Sequence, residues 1–194
     1  MTPMDRVEAR PYLAPARDQD ACAGENLELK AQVSDLAGAR ERLGAMGAEL
    51  QGTERQDDRY FAVPAGRLKL RVSSRDGAHL VAYLRPEEEA FRTSRFHRLP
   101  VTDPEGMAAT LSEMLGAGPR VVKEREVWWW RDVRVHLDQV EGLGTFVELE
   151  ARLDTIGDRG AATARLDELC AALELPAGEA LRVSYGEMMR GSQG

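Results

Sequence analysis

The run Asn26-Leu27-Glu28-Leu29-Lys30-Ala31-Gln32-Val33 alternates polar and apolar residues without interruption. Successive side chains of a β-strand point to opposite faces, so this period of two predicts a strand with two unlike faces. The apolar face carries Leu27, Leu29, Ala31 and Val33, and the polar face carries Asn26, Glu28, Lys30 and Gln32. Such a strand belongs to a sheet that packs one side on a core.

The same alternation recurs within Arg67–Val72, Val133–Val140 and Thr145–Leu153. The polar positions there are Arg67, Lys69 and Arg71; Arg134, His136 and Asp138; and Glu148, Glu150 and Arg152. An ordinary half-exposed sheet, with its polar face in water, would explain the alternation alone. It does not explain why nearly every polar position is charged, with carboxylates on the first and last strands and cations between them. If the sheet curls into a barrel, these charges converge on one cavity.

Further patterns predict the remaining elements. We expect additional strands at Arg59–Val63, His79–Leu84 and Val121–Trp130, with an extended segment over Phe91–Val101. We expect helices from Asp35 to about Leu50, capped by Ser34; from Asp103-Pro104 to Gly116; and from about Ala161 to Leu173, with a short helical tail after Pro176. Strands that mostly follow strands favour an α+β fold with a largely antiparallel sheet. Residues 1–24 are interpreted as a mobile arm and residues 25–194 as a single domain.

Composition excludes several classes of partner and site. The 194 residues carry a net charge of −7 and give a pI of about 5.1, whereas proteins that bind long nucleic acid normally have a basic excess. No run reaches the roughly 18–20 apolar residues of a membrane span, and we expect a cytoplasmic protein with no membrane partner. Cys22 and Cys170 form neither a disulfide framework nor a metal motif. The glycine-rich loops that bind nucleotides, GxxxxGK[ST] and GxGxxG, are absent from the sequence.

The charged positions indicate a site for a small phosphate-rich molecule together with a divalent cation. Arg and Lys hold phosphate oxygens, and carboxylates hold Mg²⁺ or Mn²⁺. The three histidines lack the spacing of a transition-metal cluster, and His136 is interpreted as a lining or hydrogen-bonding residue. The run Trp128-Trp129-Trp130 cannot form one stacking platform, because adjacent residues of a strand face opposite ways. Packing in the core or at an interface is therefore the favoured interpretation of these tryptophans.

Seven segments form an ordered set that begins at Asn26. They are Asn26–Lys30, Tyr60–Arg71, Tyr83–Pro86, Arg92–Arg95, Lys123–Arg125, Arg134–Asp138 taken together with Gly142–Glu150, and Ser184–Met189. In this order they resemble the CYTH or triphosphate tunnel metalloenzyme family, in its class IV adenylate cyclase-like branch. The first segment is similar to the family's opening ExExK strand, the second to its KxR hairpin, and the sixth to its closing ExE strands.

The resemblance implies an eight-stranded antiparallel barrel with helices packed outside, around a tunnel that binds a triphosphate with Mg²⁺ or Mn²⁺. It implies catalytic roles for Glu28, Lys30, Glu148 and Glu150, and metal ligation by Glu28, Glu148, Glu150 and Asp138. The phosphate-binding residues would be Lys30, Lys69, Arg71, Arg85, Arg95, Lys123, Arg125 and Arg134. Of these, Lys123 and Arg125 are expected to contact the ligand rather than a structural carboxylate.

One residue departs from the family pattern. Asn26 stands where the family has the first Glu of ExExK. Its amide oxygen can ligate a metal but brings no charge, and Glu25 cannot replace it because it points to the other face. The number of metal ions is therefore left open.

Three functions share this lining, and the resemblance favours the first. It is an adenylate cyclase-like lyase that converts ATP into cyclic AMP and pyrophosphate. The second is a triphosphatase that hydrolyses tripolyphosphate, thiamine triphosphate or a nucleoside triphosphate, and the third is a phosphate-ligand binding module without turnover. The expected ligand is a nucleoside triphosphate or another small phosphate-rich molecule, and a homodimer remains open.

Overall fold

A computed structural model of the chain describes residues 22–84, 92–175, 181 and 183–191. Its strands are β1 (Cys22–Gln32), β2 (Glu49–Phe61), β3 (Arg67–Ser73), β4 (Gly77–Leu84), β5 (Arg92–Pro100), β6 (Ala117–Trp130), β7 (Val133–Val140) and β8 (Gly144–Arg152). Its helices are α1 (Leu36–Ala45), α2 (Pro104–Leu115), α3 (Leu153–Ile156), α4 (Arg159–Ala172) and α5 (Tyr185–Gly191). The strands close into one barrel in the order β1-β5-β4-β3-β2-β6-β7-β8, and each neighbouring pair is antiparallel. The predicted fold class and the eight-stranded antiparallel barrel are confirmed.

Helix α1 begins and ends differently from the prediction. Its cap is Asp35, whose carboxylate accepts a hydrogen bond from the backbone N–H of Gly38 at 2.9 Å, rather than Ser34. The helix also stops well before Leu50. Gly47 adopts a left-handed φ of +75°, which ends the helical path and sends the chain into β2.

Strand β2 is much longer than the predicted segment Arg59–Val63. Its buried residues include Glu54, Gln56 and Asp58, so residues 51–59 carry no apolar side chain on either face and the apolar alternation that reveals the other strands is missing. Strand β1 is also longer, since it begins at Cys22 inside the predicted arm. Residues 1–21 of that arm lie outside the described residues.

The apolar faces of the strands point outward and are covered by helices. The core between β1, β7, β8 and the helices α1 and α4 includes Leu27, Leu29, Leu43, Val135, Leu149 and Leu166. Helix α2 packs against Phe61 and Leu70. Each fully buried side chain of this size contributes about 1.5–3 kcal/mol of hydrophobic stabilisation. The polar faces are consequently enclosed by the barrel, and the simpler interpretation of a half-exposed sheet is wrong.

Within the described segments, none of the helices combines the length and the apolar character that crossing a membrane requires.

Candidate active site in the barrel tunnel

The polar faces of the strands line one cavity inside the barrel. Of the residues predicted to bind phosphate or metal, those on its wall are Glu28, Lys30, Lys69, Arg71, Lys123, Arg125, Arg134, Glu148 and Glu150. Strand parity puts these side chains on one face of the sheet, and closure of the barrel brings that face together.

Two predicted phosphate-binding residues are not among them. Arg95 is exposed on the outer face of β5, because its neighbours Ser94 and Phe96 take the inward positions. Arg95 cannot reach a ligand inside the barrel, and the prediction is wrong for this residue. Arg85 lies outside the described residues.

A buried carboxylate positions the two cations of β3. Asp58 is completely buried, and it accepts hydrogen bonds from Lys69 Nζ at 2.8 Å and from Arg71 Nε and Nη2 at 2.7 and 2.9 Å. Burial alone would raise the pKa of Asp58, but the charges of Arg71 and Lys69 outweigh burial and hold the pKa well below its usual range. Asp58 is therefore a fixed anion that orients the cation pair. Sequence analysis missed it because it misplaced the start of β2.

Asp138 plays the same part for the cations of β6. It is completely buried, accepts two hydrogen bonds of 2.6 Å from Arg125, and lies 3.5 Å from Lys123 Nζ. Two predictions are corrected here. Asp138, predicted as a metal ligand, is not among the residues that line the tunnel wall with Glu148 and Glu150, and its oxygens accept hydrogen bonds from Arg125 and Tyr185. Contrary to the prediction, Lys123 and Arg125 do have a structural partner. Both cations still lie on the tunnel wall, so Asp138 fixes the positions from which they can meet an anion.

Burial, together with neighbouring cations, lowers the pKa of two lysines on the tunnel wall. Burial, followed by the charge of Arg71, lowers the pKa of Lys69 to about 7. Burial and the charge of Arg125 lower the pKa of Lys123 to about 8. Such lysines are only partly protonated near neutral pH, and an anion beside them favours the protonated form. A bound polyanion would therefore increase the positive charge of these lysines and be attracted by it.

Three side chains with metal-binding atoms meet on β7 and β8. One ligand atom from each of His136, Glu148 and Glu150 lies within 4.8 Å of the others. His136 Nδ1 is 3.7 Å from an oxygen of each glutamate, and it is buried without a hydrogen-bond partner in the described segments. Burial favours protonation of Glu148, but the charges of Lys30 and Arg125 outweigh it, so its pKa is lowered well below the usual value. The cluster is therefore anionic at neutral pH.

These residues fit a divalent cation. Ionised carboxylates supply hard oxygen ligands and negative charge, and a buried imidazole nitrogen without a hydrogen bond supplies one more donor. Glu28 lies on the same wall and pairs with Glu150 in the register of β1 and β8. The residues that would hold a metal ion are thus Glu28, His136, Glu148 and Glu150. The closeness of His136 to the glutamates could not be predicted from the sequence, because it depends on the β7–β8 register, which sets this residue opposite Glu148.

Asn26 occupies the wall near this cluster. Its side chain is buried, and Oδ1 has no hydrogen-bond partner within the described part of the chain. Glu25 is not on the wall, as strand parity predicts. The amide oxygen of Asn26 is therefore a neutral donor placed where the family pattern has a carboxylate.

Strand β2 contributes another carboxylate that sequence analysis missed. Glu54 lies on the wall, accepts a hydrogen bond from Gln56 Nε2 at 2.6 Å, and accepts a second from the Ser73 hydroxyl. Burial raises the pKa of Glu54, but the Ser73 hydrogen bond and the Arg71 charge bring it below the usual value. Glu54 thus adds negative charge that offsets part of the cationic wall.

Helix α5 covers one end of the tunnel. The hydroxyl of Tyr185 donates a hydrogen bond to Asp138 at 2.7 Å, and Lys30 Nζ lies 3.9 Å from the centre of its ring. Glu187 of the same helix is 2.7 Å from Arg67. A deep, enclosed group of cations therefore lies beneath this helix.

The opposite end carries aromatic rings. Trp129 and Phe96 both lie on the wall, with Arg134 5.1 Å from the Trp129 ring and Arg152 5.8 Å from the Phe96 ring. Core packing was the favoured interpretation of the tryptophan run, and it holds for Trp130, which is buried. It is wrong for Trp129, because the middle residue of the three faces inward.

A closed antiparallel barrel whose interior carries a group of cations and an acidic cluster defines a barrel-tunnel protein with a charged lumen. Residues 25–167 match the CYTH domain model, and the chain belongs to the CYTH family. Members of this family bind triphosphate substrates in the tunnel and depend on a metal ion.

Individual proteins show the same likeness. A Methanocaldococcus jannaschii protein whose name proposes adenylate cyclase activity is 26% identical over 169 residues, which cover 84% of this chain and 97% of that protein. A solved Pyrococcus horikoshii structure has a TM-score of 0.72 at 21% identity, covering 84% of this chain and 98% of that one. The structure of a Hippeastrum protein, described as an adenylyl cyclase candidate with a dominant triphosphatase activity, has a TM-score of 0.63 at 16% identity, covering 87% and 96%. These two structures establish the likeness of fold.

Proposed function

We propose that the protein is a metal-dependent adenylate cyclase-like enzyme that converts ATP into cyclic AMP and pyrophosphate. Membership of the CYTH family supports a triphosphate ligand, and the name of the Methanocaldococcus jannaschii relative supports this reaction. The observation that carries the choice is the order of chemical groups along the tunnel.

That order follows the exposure of the side chains. Lys123 and Arg125, next to α5, are 2% and 4% exposed, and Glu148 is 8% exposed. Glu150 and Arg134, nearer the aromatic end, are 17% and 25% exposed. The acidic cluster therefore lies between the deep cations and the aromatic end that carries Trp129.

A nucleoside triphosphate fits this order in one direction. Its terminal phosphates carry the most charge and match the deep cations, and its base matches Trp129 and Phe96. The α-phosphate and the ribose then lie beside the acidic cluster. A reaction at the α-phosphorus is what distinguishes a cyclase from a triphosphatase.

In the proposed reaction the ribose 3′ oxygen forms a bond to the α-phosphorus while the bond from that phosphorus to the β-phosphate oxygen breaks. The 3′ hydroxyl proton leaves to a carboxylate of the acidic cluster, and pyrophosphate departs with the electron pair. The cations that would stabilise the pyrophosphate are Lys30, Lys69, Arg71, Lys123 and Arg125, whereas Arg134, next to Glu150, would meet the α-phosphate. When bound, a divalent ion supplies Lewis-acid polarisation of phosphate oxygens and lowers the pKa of the attacking hydroxyl. Glu28, His136, Glu148 and Glu150 would hold it.

Triphosphatase activity is the second candidate. It is favoured by the Hippeastrum protein, which shares this fold and is described as having a dominant triphosphatase activity. Water would then attack the terminal phosphorus and release orthophosphate. The same cations would bind the ligand, so the two candidates differ in which phosphorus meets the acidic cluster.

Product analysis separates the candidates. We would incubate the purified protein with Mn²⁺ or Mg²⁺ and ATP, 3′-deoxy-ATP, tripolyphosphate or thiamine triphosphate, and identify products by mass. We expect cyclic AMP and pyrophosphate from ATP alone, since 3′-deoxy-ATP lacks the nucleophile. Orthophosphate from both ATP and 3′-deoxy-ATP would establish a triphosphatase, and binding without any product would leave a ligand-binding module. Glu150→Gln tests the acidic cluster in the same assay. Glu124→Gln makes the same change on the outer face of β6 and is its control.

A further inference from the structure

The possible metal-binding cluster of the tunnel contains one imidazole, that of His136, beside two carboxylates. The side chain is only 3% exposed, yet its Nδ1 atom has no hydrogen-bond partner in the described part of the chain. A buried polar atom of this kind is uncommon, because leaving it unsatisfied costs about 1–3 kcal/mol. The arrangement requires an explanation that the tunnel wall alone does not provide.

A hydrogen bond within the cluster does not satisfy this nitrogen. Nδ1 lies 3.7 Å from Glu148 Oε2 and 3.7 Å from Glu150 Oε1, beyond the range of a hydrogen bond to either. The ring nitrogen is thus equidistant from two carboxylate oxygens and bonded to neither. Together with one oxygen of each glutamate, this nitrogen forms a set of three possible ligand atoms that lie within 4.8 Å of one another.

The two glutamates differ in how firmly they are held. Glu148 is 3.0 Å from Lys30 and 2.6 Å from Arg125, so both of its oxygens have a cation partner. Glu150 has a more distant cation, Arg134 at 4.0 Å. Within this cluster, Glu150 and the His136 imidazole therefore have the weakest interactions with other protein groups and are the donors most available to a metal ion.

We propose that His136 is a nitrogen ligand of the tunnel cation, and that this ligand makes the site select first-row transition-metal ions over Mg²⁺. The inference rests on the metal site of the proposed function and extends it to the identity of the ion. Imidazole nitrogen suits transition-metal ions, whereas Mg²⁺ prefers carboxylate, carbonyl and water oxygens in a strict octahedron. Mn²⁺ accepts both kinds of ligand and is the probe of choice.

Pulsed electron paramagnetic resonance tests the nitrogen ligand directly. We would bind Mn²⁺ to the protein without any triphosphate and record the electron spin-echo modulation from ¹⁴N. We expect imidazole nitrogen coupling in the wild type, its loss in His136→Asn, and its retention in His97→Asn, which changes an exposed histidine on β5. Absence of nitrogen coupling from wild-type protein with bound Mn²⁺ would overturn the proposal, even if the variant failed to fold. So would its persistence in folded His136→Asn.

Calorimetry tests the selectivity. We expect the wild type to bind Mn²⁺ more tightly than Mg²⁺, and His136→Asn to reduce that ratio by about tenfold or more, the scale on which single groups change affinity at metal sites. An unchanged ratio, or no Mn²⁺ binding at millimolar concentration, overturns the inference. Failure of the proposed function is a separate result: a protein with nitrogen-coordinated Mn²⁺ that forms no cyclic AMP would refute the cyclase alone.

Discussion

Asp138 holds Arg125 through two hydrogen bonds of 2.6 Å inside the barrel, where the carboxylate is completely buried. The guanidinium also donates to Glu148 at 2.6 Å, so one cation joins the structural carboxylate to the proposed metal cluster. Groups that are already oriented need no reorganisation when a charged ligand arrives. The pair of Asp138 and Arg125 therefore fixes the position of a cation that contacts Glu148 of the proposed metal cluster.

Asp138→Asn should destabilise the folded protein strongly. The substitution leaves Arg125 buried with one anionic partner fewer, and breaking a buried pair in this way costs about 3–5 kcal/mol. Urea unfolding would measure the change. Asp57→Asn is the matched control, because Asp57 pairs with the exposed Arg120 and surface pairs contribute only about 0–1 kcal/mol. Equal losses in the two variants would contradict the structural role of Asp138.

Strand parity carried much of the prediction. Lys69, Arg71, Glu148 and Glu150 alternate with apolar residues, and that pattern alone put them on the face that becomes the tunnel wall. Asp58 could not be found this way, since residues 51–59 of β2 carry no apolar side chain on either face and show no hydrophobic period. Closure of the barrel, which turns this face into a tunnel, depends on contacts between distant parts of the chain. It was predicted from the family resemblance and not from the alternation within single strands.

The predictions for two individual residues differ from the structure for local reasons. Arg95 belongs to a segment that matches a family motif, but motif similarity does not fix which residue of a strand faces inward, and here Ser94 and Phe96 do. Asp138 has the parity of a tunnel residue but is not on the tunnel wall, and it pairs with Arg125 and Lys123. Parity predicts a face, whereas the choice of partner depends on depth within the barrel.

Trp129→Leu should weaken binding of ATP while leaving tripolyphosphate binding unchanged. Stacking of a base on an aromatic side chain is worth roughly 1–3 kcal/mol, so we expect a loss of about tenfold in affinity for ATP. Calorimetric titration of both ligands would measure the ratio. Trp128→Leu is the control, since Trp128 packs on the outer core and donates to Glu126 at 3.1 Å. Equal weakening of both ligands by Trp129→Leu would show that the ring does not contact a base.

Lys69 should make triphosphate affinity depend on pH. Its pKa of about 7 in the free protein means that the amine is half-deprotonated at pH 7 and almost fully deprotonated by pH 9, a range in which the terminal phosphate is already ionised. Since the protonated amine binds phosphate, affinity for tripolyphosphate should fall as pH rises, by up to roughly tenfold per unit for one linked proton. Calorimetry in two buffers of different ionisation enthalpy would reveal proton uptake on binding.

Lys69→Arg separates this residue from its neighbours. Arginine stays protonated over the whole range, so the slope of affinity against pH should become shallower. Lys123, with a pKa of about 8, should account for the slope that remains. A slope that is identical in the wild type and in Lys69→Arg would assign the pH dependence to other groups.

Asn26→Glu should strengthen metal binding. Asn26 is 7% exposed, its Oδ1 has no hydrogen-bond partner among the described residues, and it pairs with Arg152 in the β1–β8 register, one inward position from the pair of Glu28 and Glu150. Attraction between a carboxylate and a divalent ion amounts to roughly several kcal/mol at contact, even at an effective dielectric constant near 20. Desolvation beside Glu28 removes part of this gain. We expect Mn²⁺ affinity to rise by about tenfold.

Two measurements on the same proteins decide what Asn26 does. If its amide replaces a lost metal ligand, Asn26→Glu should raise both Mn²⁺ affinity and turnover of ATP. If its amide instead hydrogen-bonds a substrate hydroxyl or amine, the variant should lower turnover while metal affinity stays flat, because the site was complete with one metal ion. Gln139→Glu makes the same amide-to-carboxylate change on the exposed outer face of β7, and it should alter neither quantity. A flat Mn²⁺ affinity in Asn26→Glu would by itself defeat the lost-ligand hypothesis, since a carboxylate at that position cannot be electrostatically neutral toward a neighbouring divalent ion.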